Sequence, residues 1–226
     1  MSRENITRIK VVHDALQELA DDVVFVGGAT VALYADRPYA EVRPTDDVDI
    51  LVEVLHYRDY AGIEDRLRAK GFVNDMESGV VCRYRVQGVV VDVMPTGEQA
   101  LGFTNDWYVQ GYATSTIVAL DEHYRIRIFQ PTYFLAAKLA AFHNRGGGDG
   151  RSSSDFEDIV FILNHRNAIW EELAQAEESV RLFLQDAFRA LLDNPYIEEW
   201  IAAHLDHSEQ RRLLSIMGRL REFVGE

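Results

Sequence analysis

Two apolar runs joined through a pair of glycines limit what this chain can fold into. Val24–Phe25–Val26 leads into Gly27–Gly28–Ala29–Thr30, and Thr45–Asp46–Asp47–Val48–Asp49–Ile50–Leu51–Val52 follows after a polar stretch that holds two prolines. Short apolar runs rich in β-branched residues and bounded by turn residues read as buried strands. The first therefore ends in a Gly-Gly turn that opens a helix through Ala32, Leu33 and Tyr34. A third run, Val89–Val90–Val91–Asp92–Val93–Met94, carries a carboxylate among valines. An unpaired charge buried there costs several kcal/mol, so Asp92 requires a cation.

The remaining pattern is mixed at first and helical later. Ile6, Ile9, Val12, Ala15, Leu16 and Leu19 recur at helical spacing. Tyr57–Lys70 reads as a helix ending at Gly71. Val80–Val86 alternates, with Val81, Arg83 and Arg85 on one face, and Gln87–Gly88 turns it into the Asp92 run as a hairpin. Gly97–Trp107 reads as a loop, and Tyr112–Leu120 and Tyr124–Phe129 as strands. From Pro131 onward the spacing is helical, with a Gly/Ser-rich loop at Arg145–Ser153. Helices are expected from Ser154, over Glu171–Leu192, over Pro195–Leu205 and over Ser208–Phe223. The expected class is α+β: a mixed β-sheet flanked by helices in residues 1–130, then a helical bundle in residues 131–226.

Charge and composition narrow the function. A formal net charge of −14 speaks against broad electrostatic binding to DNA or anionic lipid, although a local basic patch can still grip a nucleic acid. No apolar run reaches bilayer length. Met1–Ser2–Arg3–Glu4–Asn5 lacks the apolar core of a signal peptide, so the expected compartment is the cytoplasm. The one cysteine, Cys82, reads as a small core residue. Among the 23 basic residues the lysines are Lys10, Lys70 and Lys138.

Residues two apart on a strand point the same way, so Asp47 and Asp49 face together and Asp46 faces away. If the Asp92 strand lies beside theirs, three carboxylates converge. Such a set suits a pair of Mg2+ ions. One would hold the triphosphate of an NTP, and the other would acidify an acceptor hydroxyl, with Asp92 as base. Gly27 and Gly28 would let backbone N–H groups approach phosphate, and Thr30 would add a hydroxyl. The competing readings are a plain strand–helix turn at Gly27–Gly28, a solvated Asp pair, and a buried salt bridge from Asp92 to an arginine.

Gly27–Gly28, then Asp47–Val48–Asp49, then Asp92 resembles the nucleotidyltransferase superfamily, which includes DNA polymerase beta and aminoglycoside nucleotidyltransferases. Lys138–Leu139–Ala140–Ala141–Phe142–His143–Asn144–Arg145–Gly146 followed by Ser154–Asp155–Phe156–Glu157–Asp158–Ile159 is similar to the AbiEii-type branch, which holds toxins of toxin–antitoxin pairs. That resemblance implies that Lys138 contacts nucleotide phosphates and that Asp155 or Asp158 supports the site. Ser154 stands where many relatives carry arginine, leaving Arg145 or Arg151 to supply the positive charge. It further implies transfer of NMP from an NTP to a tRNA end, a protein or a small molecule, and a cognate antitoxin as partner. Read from the residues alone, Lys138 snorkels from an apolar face, Asp155 caps a helix, and Asp155 with Asp158 can bracket Lys138 or Arg145.

Weaker candidates remain. Arg83 and Arg85 can contact triphosphate or RNA, or be solvated. Trp107–Tyr108 can stack on a base or pack. Gly146–Gly150 can form a lid or a plain loop. The rival to the enzyme reading is a catalytically inactive binding module of the same fold, favoured if the three acids splay apart or if Asp92 is tied to an arginine.

Overall fold

The computed structural model describes residues 3–36, 42–54, 57–101, 104–145 and 148–226. In chain order they form α1 (Arg3–Leu16), β1 (Val23–Val26), β2 (Asp47–Val52), α2 (Tyr57–Ala69), β3 (Val73–Asn74), β4 (Arg83–Val86), β5 (Val89–Pro95), α3 (Glu98–Leu101), α4 (Tyr108–Ala113), β6 (Thr116–Ala119) and β7 (Arg125–Ile128). The helical half follows as α5 (Pro131–Asn144), α6 (Ser154–His165), α7 (Ile169–Ala174), α8 (Glu178–Leu192), α9 (Ile197–Ala203) and α10 (Arg212–Val224). The class is α+β, with a mixed sheet and helices.

By internal contacts the chain divides into two units, Met1–Leu33 with Glu41–Gln130, and Tyr34–Ala40 with Pro131–Glu226. The first holds the sheet, in the order β3-β4-β5-β2-β1-β7-β6. The β2/β5 and β1/β7 pairs are parallel and the other pairs antiparallel. Its middle strands are those the apolar runs anticipated. Val24, Phe25, Ile50, Leu51, Val91 and Val93 have no exposed surface, as strands covered on both faces require.

In the second unit Leu135, Ala136, Val160, Ile162, Leu173 and Leu184 are buried. The described part of the early segment joins this unit. Tyr34 packs on Phe134 at 4.7 Å between ring centroids. Its carbonyl accepts from Arg166 at 3.0 Å, and the Asp36 amide donates to the His165 carbonyl at 3.1 Å. Residues 37–41, most of the loop expected over Arg37–Pro44, lie outside the described residues.

Several expected elements change form. The helix expected from Gly28 is a 3-10 segment, Gly28–Tyr34. The opening helix stops at Leu16 and continues as a 3-10 turn, Gln17–Asp22. Tyr112 and Ala113 belong to helix α4, so the strand expected from Tyr112 begins at Thr116. The long helix expected over Glu171–Leu192 breaks near Gln175–Glu177, where the Glu177 carboxylate accepts from the Ser179 amide and starts α8. Among the described residues, no helix is long and apolar enough to cross a membrane.

Candidate functional site in the sheet and an ion cluster in the helices

The parallel register of β2 and β5 places Asp49 directly beside Asp92, with Asp47 beside Val90. Adjacent strands lie about 4.8 Å apart, and directly paired residues share a face. Asp47 is two residues from Asp49 and joins it there. All three expected acids therefore gather on one side of the sheet, while Asp46 is exposed.

The glycine turn touches this set. Val26 pairs with Asp49 across β1 and β2, and Gly27 follows in the left-handed region at φ +71°. A Cβ on Gly27 would lie 1.9 Å from the Asp49 Oδ2. Only glycine lets the turn pass under that carboxylate. Thr30 is fully buried, and its hydroxyl donates to the Gly27 carbonyl at 2.9 Å. It shapes the turn rather than facing a ligand, which corrects the phosphate contact expected of it. The short 3-10 segment from Gly28 also lacks the aligned dipoles of a long α-helix, so a strong positive helix end is not formed there.

The cation that Asp92 requires is Arg83. These residues face each other across the β4–β5 hairpin. Arg83 Nε donates to Asp92 Oδ1 at 2.7 Å, and one terminal nitrogen donates both to Asp92 Oδ2 at 2.8 Å and to Asp47 Oδ2 at 3.0 Å. The hydrogen bond to Asp92, with the charges of Asp92, Asp47 and Asp49, outweighs burial and raises the guanidinium's pKa further still. Alternation placed Arg83 on this face, but its partners are carboxylates of the chain itself. Arg85 likewise binds Asp75, at 2.8 Å. Cys82, just before Arg83, is buried, and burial with the nearby Asp92 pushes its thiol up to about 11.

The oxygen-only donor set fits a hard divalent ion such as Mg2+. As arranged, however, one guanidinium spans two of the three carboxylates. Among the described residues no three acidic, histidine or cysteine side chains are set to grip one ion.

Asn5, which carried no sequence signal, fixes the start of β2. Only 1% exposed, it donates from its side-chain amide to the Arg43 carbonyl and accepts from the Thr45 amide at 3.0 Å. The Thr45 hydroxyl in turn donates to the Asp47 carbonyl at 3.0 Å.

In the helical unit, Lys138 on α5 lies between Asp155 and Asp158 on α6, at 3.0 and 2.7 Å. Its side chain is 12% exposed, and those of the two acids 5% and 2%. The pair brackets the ammonium, so Lys138 does not snorkel out. Burial pulls its pKa down, but Asp158 and Asp155 outweigh that and hold it above the ordinary lysine value. Asp155 is not the helix cap, because Ser153 accepts from the Phe156 amide. Arg145 also binds Asp155, at 2.8 Å, and its side chain is 72% exposed. The cation of this cluster that reaches solvent is thus Arg145.

The weaker candidates resolve into packing. Tyr108 contacts Phe129 edge-on and donates to the Met94 sulfur. Of the glycine-rich run, Gly146 and Gly147 lie outside the described residues, and Gly150 begins a 3-10 turn capped by Asp149.

No family model matches this sequence, and neither does any curated protein. Among solved structures, an antigenic nucleotidyltransferase-like protein from Paracoccidioides brasiliensis is similar, with a TM-score of 0.52 at 20% sequence identity over 92% of this chain and 96% of that one. At that identity the likeness establishes the fold, which is nucleotidyltransferase-like.

Proposed function

We propose that this chain is a nucleotidyltransferase that moves a nucleoside monophosphate from an NTP to a hydroxyl acceptor. The observation that carries the reading is the strand register that sets Asp49 beside Asp92, with Asp47 on the same face and Gly27 pressed under Asp49. Asp47 and Asp49, with Asp92, would hold Mg2+. When bound, that ion neutralises triphosphate charge and makes an acceptor hydroxyl more acidic. Asp92 takes the proton from the acceptor hydroxyl. The acceptor's hydroxyl oxygen then bonds to the α-phosphorus while the bond to pyrophosphate breaks. Gly27, having no side chain, leaves room for the Asp49 carboxylate against the turn. Arg145 is the helical-unit residue suited to anionic phosphate, with Asp155 orienting it and Lys138 and Asp158 stiffening the cluster. The acceptor is a tRNA end, a protein side chain or a small molecule. Growth inhibition countered by a cognate antitoxin is the cellular role the AbiEii resemblance suggests.

Incubation with each labelled NTP, Mg2+ and total RNA or cell protein tests this. Wild type is expected to transfer label and Asp49→Asn to lose it. Equal labelling by both, or none by wild type with any acceptor, counts against the reading. The Arg83–Asp92 pair favours one alternative, a binding module of this fold in which the guanidinium has replaced the metal for good.

A further inference from the structure

We infer that Arg83 is a built-in counter-cation that closes the carboxylate site: Asp47 and Asp92 hold either its guanidinium or a divalent ion, and loading the site requires Arg83 to release Asp47. The inference rests on the nucleotidyltransferase reading and adds its regulation. One terminal nitrogen of Arg83 stands within 3.0 Å of both carboxylates, between an Asp47 and an Asp92 oxygen. A divalent ion held by Asp47 and Asp92 would compete with the guanidinium for the same two carboxylates. The competition is built into the backbone, because the hairpin register sets Arg83 opposite Asp92.

The two contacts differ in strength. Asp92 receives two parallel N–H donors, the geometry that favours arginine over lysine, whereas Asp47 receives one. Release therefore begins at Asp47, whose side chain is also the more exposed, at 33% against 13% for Asp92. Apparent metal affinity is the intrinsic affinity reduced by the fraction of molecules in the released state. A nucleotide's phosphates would offer the freed guanidinium a new partner, so metal and nucleotide would load together.

Mn2+ titration followed by the electron paramagnetic resonance of the free ion tests this without turnover. Wild type, Arg83→Lys, Arg83→Gln and Asp49→Asn are compared, with circular dichroism as the check on folding. Arg83→Lys keeps the charge but loses the fork that binds Asp92 through two parallel N–H donors. A closed site predicts that Arg83→Lys and Arg83→Gln both bind Mn2+ about tenfold or more tightly than wild type, with Asp49→Asn reducing binding. If Arg83→Lys binds as weakly as wild type, local charge alone governs affinity and the inference fails while the enzyme reading stands. If no folded form binds Mn2+, the metal-dependent reading falls and takes the inference with it. Should Arg83→Gln fail to fold, the lysine variant decides.

Discussion

Single residues determine whether charge can be buried in this chain. Lys138 neutralises two carboxylates that are almost wholly enclosed. Replacing it with methionine leaves both acids without that ammonium, a loss of about 3–5 kcal/mol, measurable as a shift in the urea midpoint. The pH dependence follows from the raised pKa of Lys138. A group held above its unfolded value contributes fully below that value, near 10.5, and loses its contribution as pH climbs through the folded value. The gap in melting temperature between wild type and Lys138→Met is therefore expected to be flat from neutral pH to about pH 9 and to close only above about pH 10.5. A gap that widens over that range would contradict the cluster. Such residues were partly legible in the sequence. The helical spacing of Asp155 and Asp158 already allowed them to bracket a lysine, whereas Asn5 was silent because its partners lie some forty residues away.

At the scale of elements, pairing register decides what the residues meet. The β4–β5 hairpin turns through Gln87 at φ 48° and Gly88 at φ 83°, a two-residue loop with both central residues left-handed. Asparagine accepts that conformation better than glutamine, so Gln87→Asn is expected to stabilise by on the order of 0.5 kcal/mol in thermal melts while leaving Mn2+ binding unchanged. Strands β1, β2 and β5 were legible because each is an apolar run bounded by turn residues. β3 has two residues and no periodicity to read. Tyr112 has the chemistry of a strand residue but lies in the last turn of helix α4, where tertiary packing overrode propensity. The alternation of β4 showed which face Arg83 takes. That it meets Asp92 follows from the two-residue Gln87–Gly88 loop, which pairs Val86 with Val89 and therefore Arg83 with Asp92.

For the whole molecule, the sheet unit and the helical unit are not two consecutive pieces of sequence, because Tyr34–Ala40 counts with the helices. A fragment beginning at Pro131 loses the ring of Tyr34 on Phe134 and the carbonyl that Arg166 binds. It is expected to bind a hydrophobic dye and to melt less cooperatively than the same unit in the full chain. A sharp, dye-free melt of residues 131–226 alone would show that these contacts are dispensable. The nucleotidyltransferase-like fold also places Asp49 and Asp92 side by side in adjacent strands. Neighbouring like charges repel, so the integrity of this strip of sheet hangs on the one guanidinium that reaches across it from the next strand.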